Sequence, residues 1–450
     1  MASPVVTVKE AAGASQLLAA RLQIPPMSYS HASGSWMFTS DGQRYLDACS
    51  GIVNVNIGHA HPTVVEALRD QAGICTYASP GSFAAAHMQQ LATATARAVH
   101  RPDDRVMFIP TGTAATEAAI ALARLAQRAR GETGRHKVLT ASLGYHGNSA
   151  FVLALSGHRS RRPHEDDGFG LHPSFDPPYP GHHLGCPLPA CQAGCAEAVR
   201  AAIVDAGPES VAAVLVETVN GTTGGGYTPP PGYLRALRQI CDEHGVLLIH
   251  DEVLTGLGRT GLPLGSHHAP GAEPDIVTLA KGLGAGYLPL AATMIAPELA
   301  EAILSSGRWL PLMGTMSATP LQGRVGLAVL SVLDEIGVLD RDQVRGAAVA
   351  QVVAEATRDI PAVVDVRGLG YFYGLELAAG TIGDALRITR ENGLLLYPFV
   401  GFRPDGSGEG LLVAPPLNAT DADLNFLGEA LRASLVQLGE HVTAAASQTG

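Results

Sequence analysis

Lys281 is the residue whose surroundings in the sequence first suggest chemistry. The chain has only three lysines, Lys9, Lys137 and Lys281, among its 30 basic residues. Lys281 follows the apolar run Asp275–Leu279 and precedes a glycine-rich stretch. Burial at the end of a strand would disfavour the ammonium, lower its pKa and give a nucleophilic amine. The alternative is a lysine with a buried stem and a solvated head.

A second segment, Pro110–Glu117 (PTGTAATE), has the features of a phosphate site. An apolar strand ends there, Gly112 permits close backbone approach, and an alanine-rich helix begins. The free N–H groups at a helix start favour a phosphate, and the hydroxyl of Thr113 can add a bond. The alternative is that Thr113 only caps the helix.

A third segment places Asp251 just after the apolar run Val246–Ile249. Open α/β sheets bind ligands at the carboxyl ends of their strands. A carboxylate there could pair with a protonated ring nitrogen, because an opposite charge favours the charged form. It could also be an ordinary strand-end acid that caps a turn or faces solvent.

The three segments together supply a phosphate cradle, a partner for a pyridinium nitrogen and an amine for a Schiff base. Pyridoxal 5′-phosphate (PLP) needs these parts. The sequence therefore predicts an enzyme that holds PLP on Lys281, and this joint inference is stronger than any single segment.

The elements that would position these residues follow an α/β pattern. Short apolar runs alternate with amphipathic helices from about residue 62, which is typical of a mainly parallel sheet. The sequence predicts an N-terminal segment (1–60) packing with a small domain, a large PLP-binding domain (61–320) and a small α+β C-terminal domain (321–450). Residues 157–192, rich in Pro, His, Gly and Asp, are predicted to form a long loop.

Composition excludes several other classes of protein. Apolar residues make up 46% of the chain, the formal net charge is −11, and no block of Lys and Arg suggests nucleic-acid binding. No run is long enough to cross a membrane, and no secretory signal is visible, so we expect a cytoplasmic protein. Cys186, Cys191 and Cys195 lack the spacing of common zinc sites. They are predicted to be thiols of a surface loop, with a structural metal as the lesser alternative.

Several motifs resemble those of the class III aminotransferases, a branch of the fold-type I PLP enzymes, from about Tyr45 to Leu438. These motifs are Tyr45–Gly51 (YLDACSG), Gly58–Pro62 (GHAHP), Gly144–Gly147 (GYHG), Leu248–Gly261 (LIHDEVLTGLGRTG), Ala280–Gly282 (AKG), Val366–Gly370 (VRGLG) and Ala414–Leu417 (APPL). The resemblance implies a large domain whose mainly parallel sheet is flanked by helices, with a smaller α+β domain attached.

The resemblance also implies roles for particular residues. Those at the cofactor are Gly112 and Thr113 at the phosphate, Tyr145 stacked on the ring, Glu217 near the ring hydroxyl, Asp251 at the pyridine nitrogen, Val253 against the ring and Lys281 in the Schiff base. Thr315 resembles a threonine that reaches the phosphate of the neighbouring subunit, which implies a homodimer.

The substrate side departs from the family pattern. Tyr397 and Leu412 stand where two branches of the family carry a carboxylate-binding arginine. Arg403 lies in a loop from which it could replace the first of these. Val53 stands where some omega-amine enzymes have a bulky aromatic residue, which would leave the pocket more open. Val53, Tyr397 and Arg403 are therefore the candidate substrate residues.

These observations predict an aminotransferase with a ping-pong Schiff-base mechanism. It would move an amino group between an amine or amino acid and a keto acid or aldehyde. The missing arginines leave open a PLP-dependent epimerase, decarboxylase or bond-forming enzyme of specialised metabolism. A third possibility is a ligand-binding α/β protein without catalysis.

Overall fold

A seven-stranded sheet forms the centre of the structure, a computed structural model that describes residues 27–157, 174–177, 194–308, 314–340, 344–403 and 406–449. Numbered along the chain, its strands lie in the spatial order β4 (Arg105–Ile109), β10 (Ala291–Ile295), β9 (Ile276–Leu279), β8 (Leu247–Asp251), β7 (Val211–Glu217), β5 (Lys137–Ala141) and β6 (Ser174–Phe175). Strand β10 is antiparallel to both neighbours, and the other pairs are parallel. The predicted α/β fold with a mainly parallel sheet is confirmed.

Helices connect the strands and cover the sheet. In the described residues they are α1 (Ser50–Val53), α2 (Pro62–Ile74), α3 (Ala86–Ala98), α4 (Gly112–Ala129), α5 (Ala150–Leu155), α6 (Glu197–Ala206), α7 (Tyr233–His244), α8 (Pro297–Ser305), α9 (Pro320–Glu335), α10 (Val344–Thr357), α11 (Ile382–Glu391) and α12 (Asp421–Thr449). Helix α7 links the parallel neighbours β7 and β8. The strands are apolar along their length because both faces of the sheet are covered.

Two smaller sheets accompany the large one, and one of them joins strands from both ends of the chain. One contains β1 (Tyr29–Ser33), β2 (Trp36–Thr39), β3 (Arg44–Asp47) and β13 (Leu394–Leu395); the other contains β11 (Val363–Leu369), β12 (Phe372–Leu377), β15 (Glu409–Val413) and β14 (Tyr397–Val400). Strands β2 and β3 form a hairpin around Asp41-Gly42. Because β3 pairs with β13, the N-terminal strands lie against the C-terminal region. The three domain boundaries remain a prediction.

Only parts of the predicted long loop and of the cysteine group lie within the described residues. Residues 158–173 and 178–192 of the predicted loop, with Cys186 and Cys191, lie outside the described residues, whereas Ser174–Phe175 forms an edge strand. The surface-loop prediction is wrong for Cys195, which is buried in an apolar cluster with Val199 and Tyr233. Within the described ranges, no cluster of His, Cys, Asp and Glu could hold a metal ion, and no helix is long and apolar enough to cross a membrane.

Candidate active site

The candidate residues lie at the carboxyl ends of the parallel strands. Glu217 and Asp251 are the last residues of adjacent strands β7 and β8. Lys281 follows β9, the next strand across the sheet, and begins a short 3₁₀ turn to Leu283. The segments after β4 and β5 reach the same edge. Adjacent strands that end together bring residues distant in sequence into one site.

Asp251 is held by a buried hydrogen-bond network. The imidazole Nδ1 of His146 donates to Asp251 Oδ2 at 2.8 Å, and both side chains are buried. The backbone N–H of Val253 and the hydroxyl of Thr278 donate to Oδ1, at 3.1 and 3.3 Å. Burial by itself would lower the pKa of His146, but the bond to Asp251 and the charges of Asp251 and Glu217 raise it. The pair therefore favours an imidazolium beside a carboxylate.

Lys281 is partly buried and lines the main cavity. Burial lowers the pKa of Lys281 to about 8, although nearby Cys49, Glu217 and Asp251 act in the opposite direction. No carboxylate in the described chain forms an ion pair with it within 4 Å. The lowered pKa greatly increases the uncharged fraction of the amine near neutral pH compared with an ordinary lysine, and this is the form that attacks a carbonyl carbon.

Glu217 faces the same cavity and accepts three hydrogen bonds. The backbone N–H of Tyr145 and the side-chain amide of Asn220 donate to Oε2, at 3.2 and 3.1 Å, and the backbone N–H of Gly221 donates to Oε1 at 2.9 Å. Burial raises the pKa of Glu217 to about 7, against the opposing influence of His146 and of these backbone donors. Glu217 can therefore change charge near neutral pH.

The start of α4 forms the opposite end of the cavity. Thr111 caps the helix, its hydroxyl accepting from Ala114 N at 3.1 Å, so the reading of Thr113 as a simple cap is wrong. The hydroxyl of Thr113 instead donates to Asn148 Oδ1 at 2.9 Å. A Cβ on Gly147 would lie 2.7 Å from Thr113 Oγ1, and one on Gly112 would lie 3.0 Å from Val253 Cγ1. Glycine at both positions leaves the helix start accessible.

These segments enclose one cavity of about 710 Å³. Its lining includes most of the predicted residues: Gly112, Thr113, Tyr145, Glu217, Asp251, Val253, Lys281 and Tyr397. Ile52, Val219 and Leu254 add apolar surface. No arginine is among the described residues that line it.

Three predicted residues lie elsewhere. Val53 is fully buried in an apolar cluster and does not line the cavity. Its backbone is left-handed (φ 55°), so its side chain points away from the cavity surface that Ile52 lines. Arg403 pairs with the buried carboxylate of Glu376, which also binds Arg367 at 2.7 Å, and so does not line the cavity. Thr315 is exposed and outside the cavity of its own chain.

Sequence reasoning missed two polar residues of the site. The GYHG motif contains His146, but nothing in its spacing shows that it bonds to Asp251, 105 residues away. Asn148, one residue after the same motif, bonds to Thr113 and lines the cavity. Their position in the turn after β5, next to the predicted ring-stacking Tyr145, is the signal that could have found them.

Comparison with known proteins identifies the family. The profile described as aminotransferase class-III matches residues 18–435. The chain belongs to this family. The acetylornithine aminotransferase of Mesorhizobium japonicum is 33% identical, covering 94% of this chain and 97% of that protein. The 5-aminovalerate aminotransferase of Pseudomonas putida is 32% identical, covering 90% and 92%.

Solved structures agree with this assignment to the class-III aminotransferases. The chain is similar to an amine transaminase from an uncultivated Pseudomonas species in its PLP-bound form, with a TM-score of 0.83 and 30% identity, covering 96% of this chain and 99% of that one. It is also similar to an (S)-enantioselective omega-transaminase from Thermomicrobium roseum, with a TM-score of 0.80 and 30% identity, covering 92% and 93%. The predictions of a PLP-dependent aminotransferase and of fold type I are confirmed.

The residues around the cavity of this class-III aminotransferase fit PLP. A phosphate needs N–H donors with open space before them, which the helix start beside Gly112 and Gly147 provides. A pyridinium nitrogen needs a buried carboxylate, and Asp251 is one. The aldehyde needs an amine of low pKa, and Lys281 has one.

Proposed function

We propose that the enzyme accepts an amine without a carboxylate as amino donor, that Lys281 is its catalytic lysine, and that it works as a cytoplasmic homodimer. The observation that carries the substrate proposal is the absence of arginine from the described lining of the cavity. A substrate carboxylate there would be buried without a cationic partner, which is costly.

In this proposal Lys281 and Asp251 divide the chemistry. PLP, when bound, supplies an electron sink that stabilises negative charge on the substrate carbon. Lys281 Nζ would anchor the cofactor until the substrate amine takes its place, and the freed amine would then take the proton from the substrate carbon, a task suited to an amine whose pKa lies near the operating pH. Asp251, bonded to His146, holds a proton on the ring nitrogen by its negative charge.

The other residues bind and orient. We assign the phosphate to the backbone N–H groups of Gly112 and Thr113 at the start of α4, where the helix dipole also favours an anion. Tyr145 and Val253, which both line the cavity, would contact the ring, and Glu217 would contact the ring hydroxyl.

The substrate pocket is proposed to lie between Lys281 and an apolar wall. Ile52, Val219, Leu254 and Tyr397, which line the cavity, would form this wall. Apolar walls with few polar groups favour apolar substituents on the substrate. Arg403 is assigned no role with substrate, because its partner Glu376 is buried and the pair holds it away.

The homodimer is supported by apolar surface exposed on the single chain. Ile74 is 79% exposed, Phe83 66% and Met316 57%. An interface between two subunits would remove such side chains from water, which is favourable. Thr315, next to Met316, is exposed and away from its own cavity, as expected if it reaches the phosphate of the partner subunit.

The test compares two amines that differ by a carboxylate, butylamine and 4-aminobutyrate, with propanal, an aldehyde that has no carboxylate, as acceptor. We expect kcat/KM to be at least about tenfold higher for butylamine, because a buried unpaired charge costs more than 1.4 kcal/mol. The Lys281→Ala variant should show no turnover with either. A preference for 4-aminobutyrate would contradict the substrate proposal, and turnover by the Lys281→Ala variant would contradict the catalytic assignment.

A further inference from the structure

Arg259 is the largest fully buried side chain of the described structure, and it carries a charge. No carboxylate in the described residues lies within ion-pair distance of its guanidinium, and its Nε has no hydrogen-bond partner there. Burying a cation without an opposite charge costs several kcal/mol. The roles proposed for the residues of the cavity do not explain why a cation is buried at this position.

The guanidinium of Arg259 bonds only to neutral oxygens, and these come from two distant parts of the chain. Nη1 donates to the carbonyl of Pro415 at 2.6 Å and to that of Tyr371 at 3.4 Å. Nη2 donates to Asn56 Oδ1 at 2.8 Å and to Ser50 Oγ at 3.3 Å. Arg259, which lies in a loop of the large sheet, thus links the N-terminal segment to the C-terminal region.

Asn56 connects this cluster to the catalytic turn. A Cβ built on Gly282, the residue after Lys281, would lie 2.4 Å from Asn56 Nδ2. The turn is therefore packed directly on the amide whose other end Arg259 holds. The backbone N–H of Leu417 also donates to the carbonyl of Asn56 at 2.7 Å, which fixes the position of the segment.

The backbone of Lys281 needs such support. Its φ of 35° lies in the left-handed region, which is unfavourable for a residue with a side chain. Conformations of this kind persist only where the surroundings over-determine them. The contact from Arg259 through Asn56 to Gly282 is one such constraint.

The positive charge of Arg259 also affects Lys281, in addition to the support that its hydrogen bonds give the turn. Burial is the main reason for the lowered pKa of Lys281, and the positive charge of Arg259 lowers it further. Cys49, Glu217 and Asp251 have the opposite effect and raise the pKa of Lys281. A cation held in the protein interior is screened little by salt, so its influence on the amine is lasting.

We propose that Arg259 is a positioning residue for Lys281. It holds the turn at residues 281–283 through Asn56, and it keeps a fixed positive charge near the amine. The proposal rests on the proposed function in one respect, that Lys281 carries the cofactor. It adds a residue that touches neither cofactor nor substrate.

The experiment uses the full-length holoenzyme and three variants. Arg259→Met removes the charge and the hydrogen bonds, and Arg259→Lys keeps the charge but loses the forked geometry. Arg135→Met is the matched control, because Arg135 also bonds to three backbone carbonyls, those of Pro208, Val211 and His244, but at the opposite ends of the strands. The measurements are the dissociation constant of PLP, the pH midpoint of the cofactor absorbance band, kcat and KM separately, and the melting temperature.

For Arg259→Met we expect PLP affinity to fall by about tenfold or more, from the loss of charged hydrogen bonds. The pH midpoint should move upward, because removal of a nearby cation favours protonation of the nitrogen on Lys281. Arg259→Lys should weaken PLP binding but keep the midpoint near that of the wild type. Arg135→Met should lower the melting temperature only.

A lowered melting temperature in Arg259→Met with unchanged PLP affinity and pH midpoint would overturn the proposal and leave a structural arginine. If Arg259→Met fails to fold, Asn56→Ala tests the same contact with the arginine in place, and an unchanged affinity and kcat there would also overturn it. Borohydride reduction of the wild-type holoenzyme separates the two proposals: a cofactor adduct on a residue other than Lys281 would refute the proposed function, whatever the Arg259 variants do.

Discussion

His146 Nδ1 lies 2.8 Å from Asp251 Oδ2, and both side chains are almost completely shielded from solvent. Charge-assisted hydrogen bonds in such surroundings are stronger than neutral ones. The bond fixes the orientation of the carboxylate that faces the cavity. It also raises the pKa of His146, so the imidazolium in turn stabilises the negative charge of Asp251.

We predict that Asp251→Asn lowers kcat/KM by at least about 100-fold, since a neutral amide cannot hold a proton on the ring nitrogen. His146→Phe should cost about tenfold, because Asp251 keeps its charge but loses one charge-assisted bond. Steady-state kinetics on PLP-saturated enzyme measure both. Equal losses in the two variants would contradict the expectation that Asp251 keeps most of its effect on the ring nitrogen without His146.

Gly147→Ala is predicted to weaken cofactor binding. Its Cβ would lie 2.7 Å from Thr113 Oγ1 and 3.0 Å from Thr113 Cα, and its φ of 145° already disfavours a side chain. Displacement of the helix start should reduce PLP affinity by about tenfold, a typical effect of overpacking. Gly73→Ala is the control, because its Cβ would meet open space. Comparable PLP dissociation constants for the two variants would argue against a phosphate site at Thr113.

The strands and their carboxyl ends could be predicted because buried strands are continuous apolar runs, and Glu217, Asp251 and Lys281 stand where those runs end. Strand β10 was not predicted. Its sequence, Ala291–Ile295, is also apolar, and nothing in its composition distinguishes an antiparallel strand within a parallel sheet from part of a helix.

The substrate side was harder to predict for physical reasons. The orientation of residues 51–53 depends on left-handed backbone at Gly51 and Val53, with φ of 67° and 55°, and a β-branched residue gives no signal for that conformation. The position of Arg403 depends on an ion pair with Glu376, 27 residues earlier in the chain. Pairings between residues distant in sequence follow from packing and not from local pattern.

Glu217 should make stability depend on pH. Burial raises its pKa from 4.5 to about 7 in the folded chain. Between these values the folded protein binds a proton that the unfolded chain does not, so its contribution to stability is full below pH 4.5 and is lost as pH rises through 7. We expect the free energy of unfolding of the apo-enzyme, relative to Glu217→Gln, to rise as pH falls from 8 to 5. A difference that is constant over this range would show that Glu217 keeps its charge.

Arg403→Ala is predicted to leave transamination of butylamine within about twofold of wild type, because Glu376 holds the guanidinium away from the cavity. The buried carboxylate of Glu376 retains Arg367 as a partner in this variant, so it is not left uncompensated. Removing the partner instead, with Glu376→Gln, frees Arg403 from its ion pair. Steady-state kinetics with butylamine and 4-aminobutyrate compare the two variants. A selective loss of activity toward 4-aminobutyrate in Arg403→Ala would show that this arginine reaches a substrate carboxylate during turnover.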